Sequence, residues 1–266
     1  NRHMFVENCL KNELSNKYYE GCATGILNAP EPEFNPAVDD KIRFNYGPKN
    51  HRKQKIENKL YLQKILDLEQ DENAPLFFWP SRLDPVQKGC QLLAQILYEI
   101  VSQYHDTGLQ VVFVASGPYQ KHFHDIVQFH GLHRRVAVCG FNEALSHQAF
   151  ASSDFLFMPS SFEPCGLPQM VGCIYGTLPI VFDTGGLHDT ISDLDVKDNS
   201  GNGFLFNVHD AQGLKWGVER AMDFYLLPRE IKEQQIKRIM IEGVLEFNHS
   251  RCAESYISLY EKMLKR

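Results

Sequence analysis

Apolar runs and amphipathic stretches alternate along the chain from residue 76 onward. Runs rich in β-branched and aromatic residues indicate strands that are buried on both faces. After the first run, apolar residues recur at helical spacing, which predicts an amphipathic helix. The predicted strands are LFFW (76–79), LQVVFVAS (109–116), RVAVCG (135–140), DFLFMP (154–159), TLPIVFD (177–183) and GFLFN (203–207).

This alternation predicts an α/β fold, a doubly wound parallel sheet of the Rossmann-like type with helices on both faces. Three further helices are expected near residues 210–226, 229–243 and 250–265. Residues 1–73 are polar and loop-rich, and we interpret them as a lead-in or interdomain segment that is partly irregular. Residues 74–266 form the predicted Rossmann-like domain with its terminal helices. Because such sheets bind ligands beyond the carboxyl ends of their strands, candidate site residues are sought there.

Two cations follow the first predicted strand, in the loop PSRLDPVQKG. The planar fork of Arg82 and the point charge of Lys88 both suit phosphate oxygens. The alternative, from spacing alone, is a pair of surface cations on either side of a turn built on Pro85. The loop is therefore a candidate phosphate site, with that alternative open.

The stretch SSFEPCGLPQM follows the fourth predicted strand and places a carboxylate after a buried apolar run. Glu163 is either a carboxylate held in a cleft for sugar hydroxyls or one that faces the positive end of a helix dipole. Pro164 suits the first turn of that helix, and Gly166 lets a ligand approach the backbone. Free amides at residues 166–169 are a candidate phosphate site. Cys165 is interpreted as a residue lining a pocket, because no histidine stands beside it to activate a nucleophile.

Two more strand ends carry candidate ligand-binding residues. Phe141 follows the third predicted strand, where an exposed ring stacks on a base or sugar, and a core position is the alternative. Gly185 and Gly186 follow the fifth strand in TGGLHDT, where backbone groups contact anions or sugars. A single Gly-Gly pair is weak evidence, but four such loops at successive strand ends strengthen one another.

Composition narrows the function classes. The net charge of −6 disfavours a nucleic-acid partner held by a basic face. Seven cysteines without a C-x-x-C pair favour reduced thiols in a cytoplasmic protein, and we expect no metal site. No apolar run reaches the length of a membrane span, so no membrane partner is expected. Because the chain does not begin with methionine, we expect a fragment or a truncated product.

The ordered motifs of the chain resemble the carboxyl-terminal half of bacterial glycogen synthase and plant starch synthase. The segments that carry the resemblance are GILNAPEPEFNPAVDDKIRFNY, KIENKLYLQKILDL, SRLDPVQKG, FNEALSHQAFASSDFLFMPSSFEPCGLPQM, YGTLPIVFDTGGLHDTISD and AESYISLYEKML. The resemblance implies a retaining glycosyltransferase of the two-domain GT-B type, in which this half binds ADP-glucose. Beyond ADP-glucose as the donor substrate, the resemblance implies neither a cofactor nor a metal.

The resemblance also implies roles for residues. Arg82 and Lys88 would hold the diphosphate as it leaves, and Glu163 would contact the glucose near its 3-hydroxyl. The amides of Gly166 and Leu167 would face sugar or phosphate, beside Cys165 and the Gly185–Gly186 pair. Phe141 would stack near the adenine.

The chain departs from the family pattern at several of these places. Ser161 stands where arginine is usual, Pro168 where threonine is usual, and the loop from Arg82 to Lys88 is one residue longer. The amino-terminal half, with its Lys-x-Gly-Gly-Leu loop and its contacts to the α-glucan acceptor, is missing, so we expect this chain alone to be inactive. The alternatives are a non-catalytic relative that binds nucleotide or glucan, and a related transferase with another donor.

Overall fold

The computed structural model describes residues 8–264, so the first seven residues of the predicted lead-in segment and the last two residues of the chain lie outside it. The strands are β1 (Leu76–Trp79), β2 (Gln110–Val114), β3 (Val136–Cys139), β4 (Phe155–Met158), β5 (Leu178–Phe182) and β6 (Phe204–Phe206). The helices are α1 (Asn8–Tyr19), α2 (His51–Ile65), α3 (Cys90–Gln103), α4 (Gln120–His130), α5 (Glu143–Ser152), α6 (Pro168–Tyr175), α7 (Gly185–Thr190), α8 (Ala211–Tyr225), α9 (Arg229–Glu246) and α10 (His249–Leu264). Each predicted strand and each of the three predicted late helices is confirmed, with shifts of a few residues at the ends.

The strands form one parallel sheet in the order β3-β2-β1-β4-β5-β6. Strand β1 pairs with β2 on one side and with β4 on the other, so Phe77 lies opposite both Val111 and Phe155. Strands β2 and β3 extend the sheet on one side of β1, and β4, β5 and β6 then extend it on the other side. The predicted doubly wound sheet is therefore confirmed, and its topological switch point lies between β1 and β4.

Buried aromatic and aliphatic side chains hold the helices on the sheet. Strands β1, β2 and β4 are buried along their whole length, as expected of strands covered on both faces. The ring of Phe77 packs against Phe155 and Phe157, at centroid distances of 4.9 and 5.3 Å. Each such buried side chain contributes about 1.5–3 kcal/mol of transfer free energy.

The described part of the lead-in segment shares this core. Ile42, Tyr46 and Leu62 are buried in the same apolar cluster as the strands, and α2 packs along α5. The hydroxyl of Tyr46 donates to the carbonyl of Tyr175 at 2.8 Å, which ties the segment to the end of α6. The predicted boundary at residue 73, between the lead-in segment and the Rossmann-like domain, stays a prediction.

None of the helices within residues 8–264 combines the length and the apolar character that a membrane span requires.

Candidate active site at the switch point

The loops that follow β1 and β4 lie against each other at the carboxyl edge of the sheet. Gly89 has a left-handed φ of +71°, and a Cβ there would come within 2.1 Å of the carbonyl oxygen of Pro159. The Ser161 amide donates to the Gln87 carbonyl at 2.9 Å, and the Gln87 side chain donates to the Phe162 carbonyl at 3.2 Å. These bonds fix the two loops as one unit at the switch point.

An ion pair joins the two loops at their centre. Lys88 Nζ lies 2.5 Å from Glu163 Oε2, although the two residues are 75 positions apart in the chain. The hydroxyl of Ser160 donates to the same oxygen at 3.2 Å. Glu163 is only 7% exposed, so its charge is held in place by these two partners. Because both bonds reach Oε2, the second carboxylate oxygen remains an acceptor for a ligand.

The helix-dipole interpretation of Glu163 does not fit this geometry. Helix α6 begins at Pro168, which occupies its first turn, so the prediction that Pro164 opens the helix was wrong. The chain turns at Gly166, whose φ is +72°, and this turn delays the helix until after Leu167. Because dipole effects fall off within the first turn, the Lys88 ammonium is the stronger reason for the carboxylate.

The two glycines at the start of α7 bring a third loop onto the same unit. A Cβ on Gly185 would lie 2.2 Å from the carbonyl oxygen of Glu163, and one on Gly186 would lie 2.1 Å from that of Cys165. The Gly186 amide donates to the Glu163 carbonyl at 2.8 Å. Loop packing therefore requires both glycines, and their contact with a ligand stays a prediction.

The remaining candidates at the first and third strand ends are exposed. Arg82 contacts Gln87 only through a long bond of 3.5 Å, so its guanidinium is available to a ligand. Phe141 is 64% exposed, which contradicts the alternative of a core position. Its amide donates to Ser116 Oγ at 2.9 Å, and the Ser116 carbonyl accepts from the Leu83 amide at 3.1 Å. Sequence analysis missed Ser116, which connects three strand-end loops.

Cys165 and the positions that depart from the family pattern have local roles. Burial raises the pKa of the Cys165 thiol, which disfavours the thiolate and therefore a nucleophilic role. The Ser161 hydroxyl donates to the Val86 carbonyl at 3.1 Å, so the smaller side chain at 161 binds the longer loop between Arg82 and Lys88. Leu167 is 40% exposed beside the α6 amino terminus, and the contact of its amide with a ligand stays a prediction.

Sequence analysis also missed one group of possible metal ligands, which lies apart from these loops. Carboxylate oxygens of Glu33 and Glu143 and a ring nitrogen of His147 lie within 4.8 Å of one another. The Lys41 ammonium contacts both carboxylates, at 3.2 and 2.8 Å, and supplies a positive charge there.

The family model described as "Glycosyl transferases group 1" matches residues 64–238. The chain belongs to this family. Curated relatives named "Glycogen synthase" include one from Bacillus cereus, 34% identical over 250 residues that cover 93% of this chain and 50% of the relative. Another, from Bacillus subtilis (strain 168), is 33% identical over 255 residues, which cover 94% of this chain and 50% of the relative. The resemblance found in the motifs is thereby confirmed.

Solved structures extend the comparison. The catalytic domain of Starch Synthase IV from Arabidopsis thaliana, bound to ADP and acarbose, superposes with a TM-score of 0.83 at 33% identity over 95% of this chain and 51% of that chain. Sucrose-phosphate synthase from Thermosynechococcus elongatus, at 19% identity and a TM-score of 0.61, supports the fold alone. The chain spans about half the length of the curated relatives it matches. The predicted fold class, the Rossmann-like carboxyl-terminal half of a two-domain GT-B glycosyltransferase, is confirmed.

Proposed function

We propose that this chain is the nucleotide-sugar-binding half of a glycogen or starch synthase. The whole protein would transfer glucose from ADP-glucose to an α-1,4-glucan with retention, and the acceptor would be held by the amino-terminal half. The observation that carries the proposal is the Lys88–Glu163 pair at the switch point of a chain similar to curated glycogen synthases. The ADP bound to the similar starch synthase supports ADP as the nucleotide.

The cations at the end of β1 suit a diphosphate. Arg82 is exposed and offers its guanidinium fork. Lys88 has three N–H donors, of which the Glu163 carboxylate takes one, so two remain for phosphate oxygens. The exposed ring of Phe141 would stack on the adenine, and the amides of Gly166 and Leu167 would contact sugar or phosphate. No further cofactor is part of the proposal.

Glu163 is assigned to the sugar. Its free oxygen would accept a hydroxyl of the glucose, while Lys88 holds the other oxygen and links the sugar contact to the diphosphate contact. As the glycosidic bond breaks, negative charge grows on the diphosphate and positive charge grows at the anomeric carbon. Cations and a carboxylate already fixed on either side of that bond stabilise both charges without reorganisation.

Two measurements test the proposal. The chain alone should bind ADP in calorimetry and should not incorporate labelled glucose into glucan, because half of the cleft is missing. The full-length protein should transfer glucose from ADP-glucose to an α-glucan, with UDP-glucose as the donor control. Nucleotide binding without transfer by the full-length protein would favour the non-catalytic alternative, whereas the names of the curated relatives favour the enzyme.

A further inference from the structure

A second site lies at the opposite, amino edge of the sheet. A cavity of about 390 Å³ opens there between α2 and α9, beneath the first residues of β4 and β5. Its volume is within the range of about 300–1,000 Å³ that small-molecule sites occupy. At about 3.3 Å per residue, the strands separate this cavity from the switch-point loops by on the order of 15 Å.

The lining of the cavity carries more positive than negative charge. Five lysine and arginine side chains and one histidine face three carboxylates, so cations outnumber carboxylates in the lining even though burial lowers the pKa of Lys55 to about 7. The cations are Arg52, Lys55, Lys59, Arg229 and Lys232, and the carboxylates are Glu72, Asp154 and Glu233. A protein of net charge −6 has no general reason to collect cations in one cavity.

Two of the lysines have structural partners. Lys59 Nζ donates to Asp154 at 2.7 Å and to the carbonyl of Ala74 at 2.8 Å. Lys55 Nζ contacts carbonyls at the ends of α5 and α6 and the hydroxyl of Thr177, which lies 2.9 Å away. These two side chains are accounted for by the fold.

The other cations share too few acceptors. Arg52 and Arg229 approach a single oxygen of Glu233, at 2.9 and 3.3 Å. Lys232 donates to the carbonyl of Tyr225 at 2.5 Å, and its ammonium lies 4.5 Å from the centre of the Tyr225 ring. It forms no ion pair with a carboxylate of residues 8–264. His51 is 5% exposed, and its Nε2 has no hydrogen-bond partner among the described residues.

We infer that this cavity binds a small organic phosphate, separately from the nucleotide donor. Arg229 and Lys232 stand one turn apart on α9, and Arg52 on α2 shares the Glu233 carboxylate with Arg229, so the three cations line the same cavity. Guanidinium forks and an ammonium group fit the oxygens of a phosphate dianion. The apolar body of the ligand lies against Phe155 and Phe224.

The test uses phenyl phosphate as the probe, titrated into the chain by calorimetry at constant ionic strength and with saturating ADP present. Saturable binding is expected, and phenol, which lacks the phosphate, should not bind. Arg229→Gln and Lys232→Gln should each weaken binding by about tenfold or more, the loss of one charge-assisted hydrogen bond. Arg229 is largely exposed, so its variant keeps the fold.

Two variants serve as matched controls. Lys64→Gln removes an exposed lysine of α2 and Arg134→Gln removes an exposed arginine, and neither residue lines the cavity. Both should bind phenyl phosphate like the parent chain with saturating ADP present. The inference is wrong if no saturable binding occurs up to about 10 mM, if the cavity variants bind like the parent, or if binding seen without ADP is abolished by saturating ADP.

Discussion

Two buried lysine–carboxylate pairs stand at opposite edges of the same sheet. At the amino edge, Lys59 and Asp154 are 2.7 Å apart, and Asp154 also accepts from the amide of Leu76 at the start of β1. At the carboxyl edge, Lys88 and Glu163 are 2.5 Å apart, and within residues 8–264 the Ser160 hydroxyl is the other hydrogen-bond partner of the carboxylate side chain. The first pair is bonded to the backbone of the sheet, and the second lies between loops.

This difference separates a structural pair from a functional one. The Asp154 carboxylate joins the beginnings of β1 and β4, and Lys59 reaches it from α2. Loss of this pair would therefore remove a connection between α2, β1 and β4. The carboxyl-edge pair is not the sole link between its loops, since backbone bonds and close glycine packing also hold those loops together. We propose that the charge of Glu163 also serves a ligand at the switch point.

The largest expected effect is on stability, from Lys59→Met. Removing the ammonium leaves Asp154 partly buried without its charge partner, which should cost about 3 kcal/mol or more of unfolding free energy. Urea unfolding measures this, and calorimetry on the folded protein should show unchanged ADP affinity. A loss below about 1 kcal/mol would remove the structural role from the amino-edge pair.

A smaller loss is expected from Lys55→Met, with a distinctive pH dependence. Burial lowers the pKa of Lys55 to about 7, so between pH 7 and 10 the unfolded chain binds a proton that the folded chain lacks. Parent stability therefore gains from this lysine as the pH rises through that window, and the methionine variant lacks the gain. At pH 7 the variant should lose about 1–3 kcal/mol, because helix-end carbonyls lose their donor. Urea unfolding of both proteins at pH 7, 8 and 9 checks this, and equal slopes would contradict it.

At the carboxyl edge, Arg82→Ala should weaken ADP binding by roughly 5- to 30-fold, about 1–2 kcal/mol, and leave stability nearly unchanged. Calorimetry gives the affinity, with Arg134→Ala, which changes another exposed arginine, as the control. Lys88→Ala should weaken ADP binding as well, but it also strands Glu163 in a buried position and so lowers the melting temperature. Parent-like affinity in both variants would exclude the loop from the nucleotide site.

The smallest effect is expected from Cys165→Ala. The half-buried thiol lies 4.0 Å from the carbonyl of Asn28, a long contact, and burial raises its pKa, which favours the protonated form. ADP affinity should therefore stay within about twofold of the parent, which is below the contribution of one hydrogen bond. A tenfold loss in the same titration would give this cysteine a direct role in the site.

The sequence predicted those features that depend on short stretches of chain. Strand β1 coincides with LFFW, a short run whose four residues are all buried, as a strand covered on both faces requires. The strand-end positions of Arg82, Glu163 and Gly185 followed from the same pattern. The resemblance supplied their roles, which composition and spacing alone left open.

Other features depend on residues that are distant in the chain. The pairing of Lys88 with Glu163 spans 75 positions, and only the strand order β1-β4 brings the two loops together. The late start of α6 reflects the left-handed turn at Gly166, where the sequence had favoured Pro164 as the first turn. The cation cavity joins α2 to α9, two helices whose contact no local pattern indicates.

The most direct test compares Glu163→Gln with Asp154→Asn in the full-length protein, by steady-state glucose transfer and melting temperature. Each change removes one carboxylate charge and keeps the size of the side chain. Glu163→Gln should lower the transfer rate by about 100-fold or more, the usual cost of losing one preset electrostatic contact, with a melting temperature near the parent's. Asp154→Asn should lower the melting temperature and retain most of the rate. A Glu163→Gln rate within a few-fold of the parent, with a lowered melting temperature, would contradict the account.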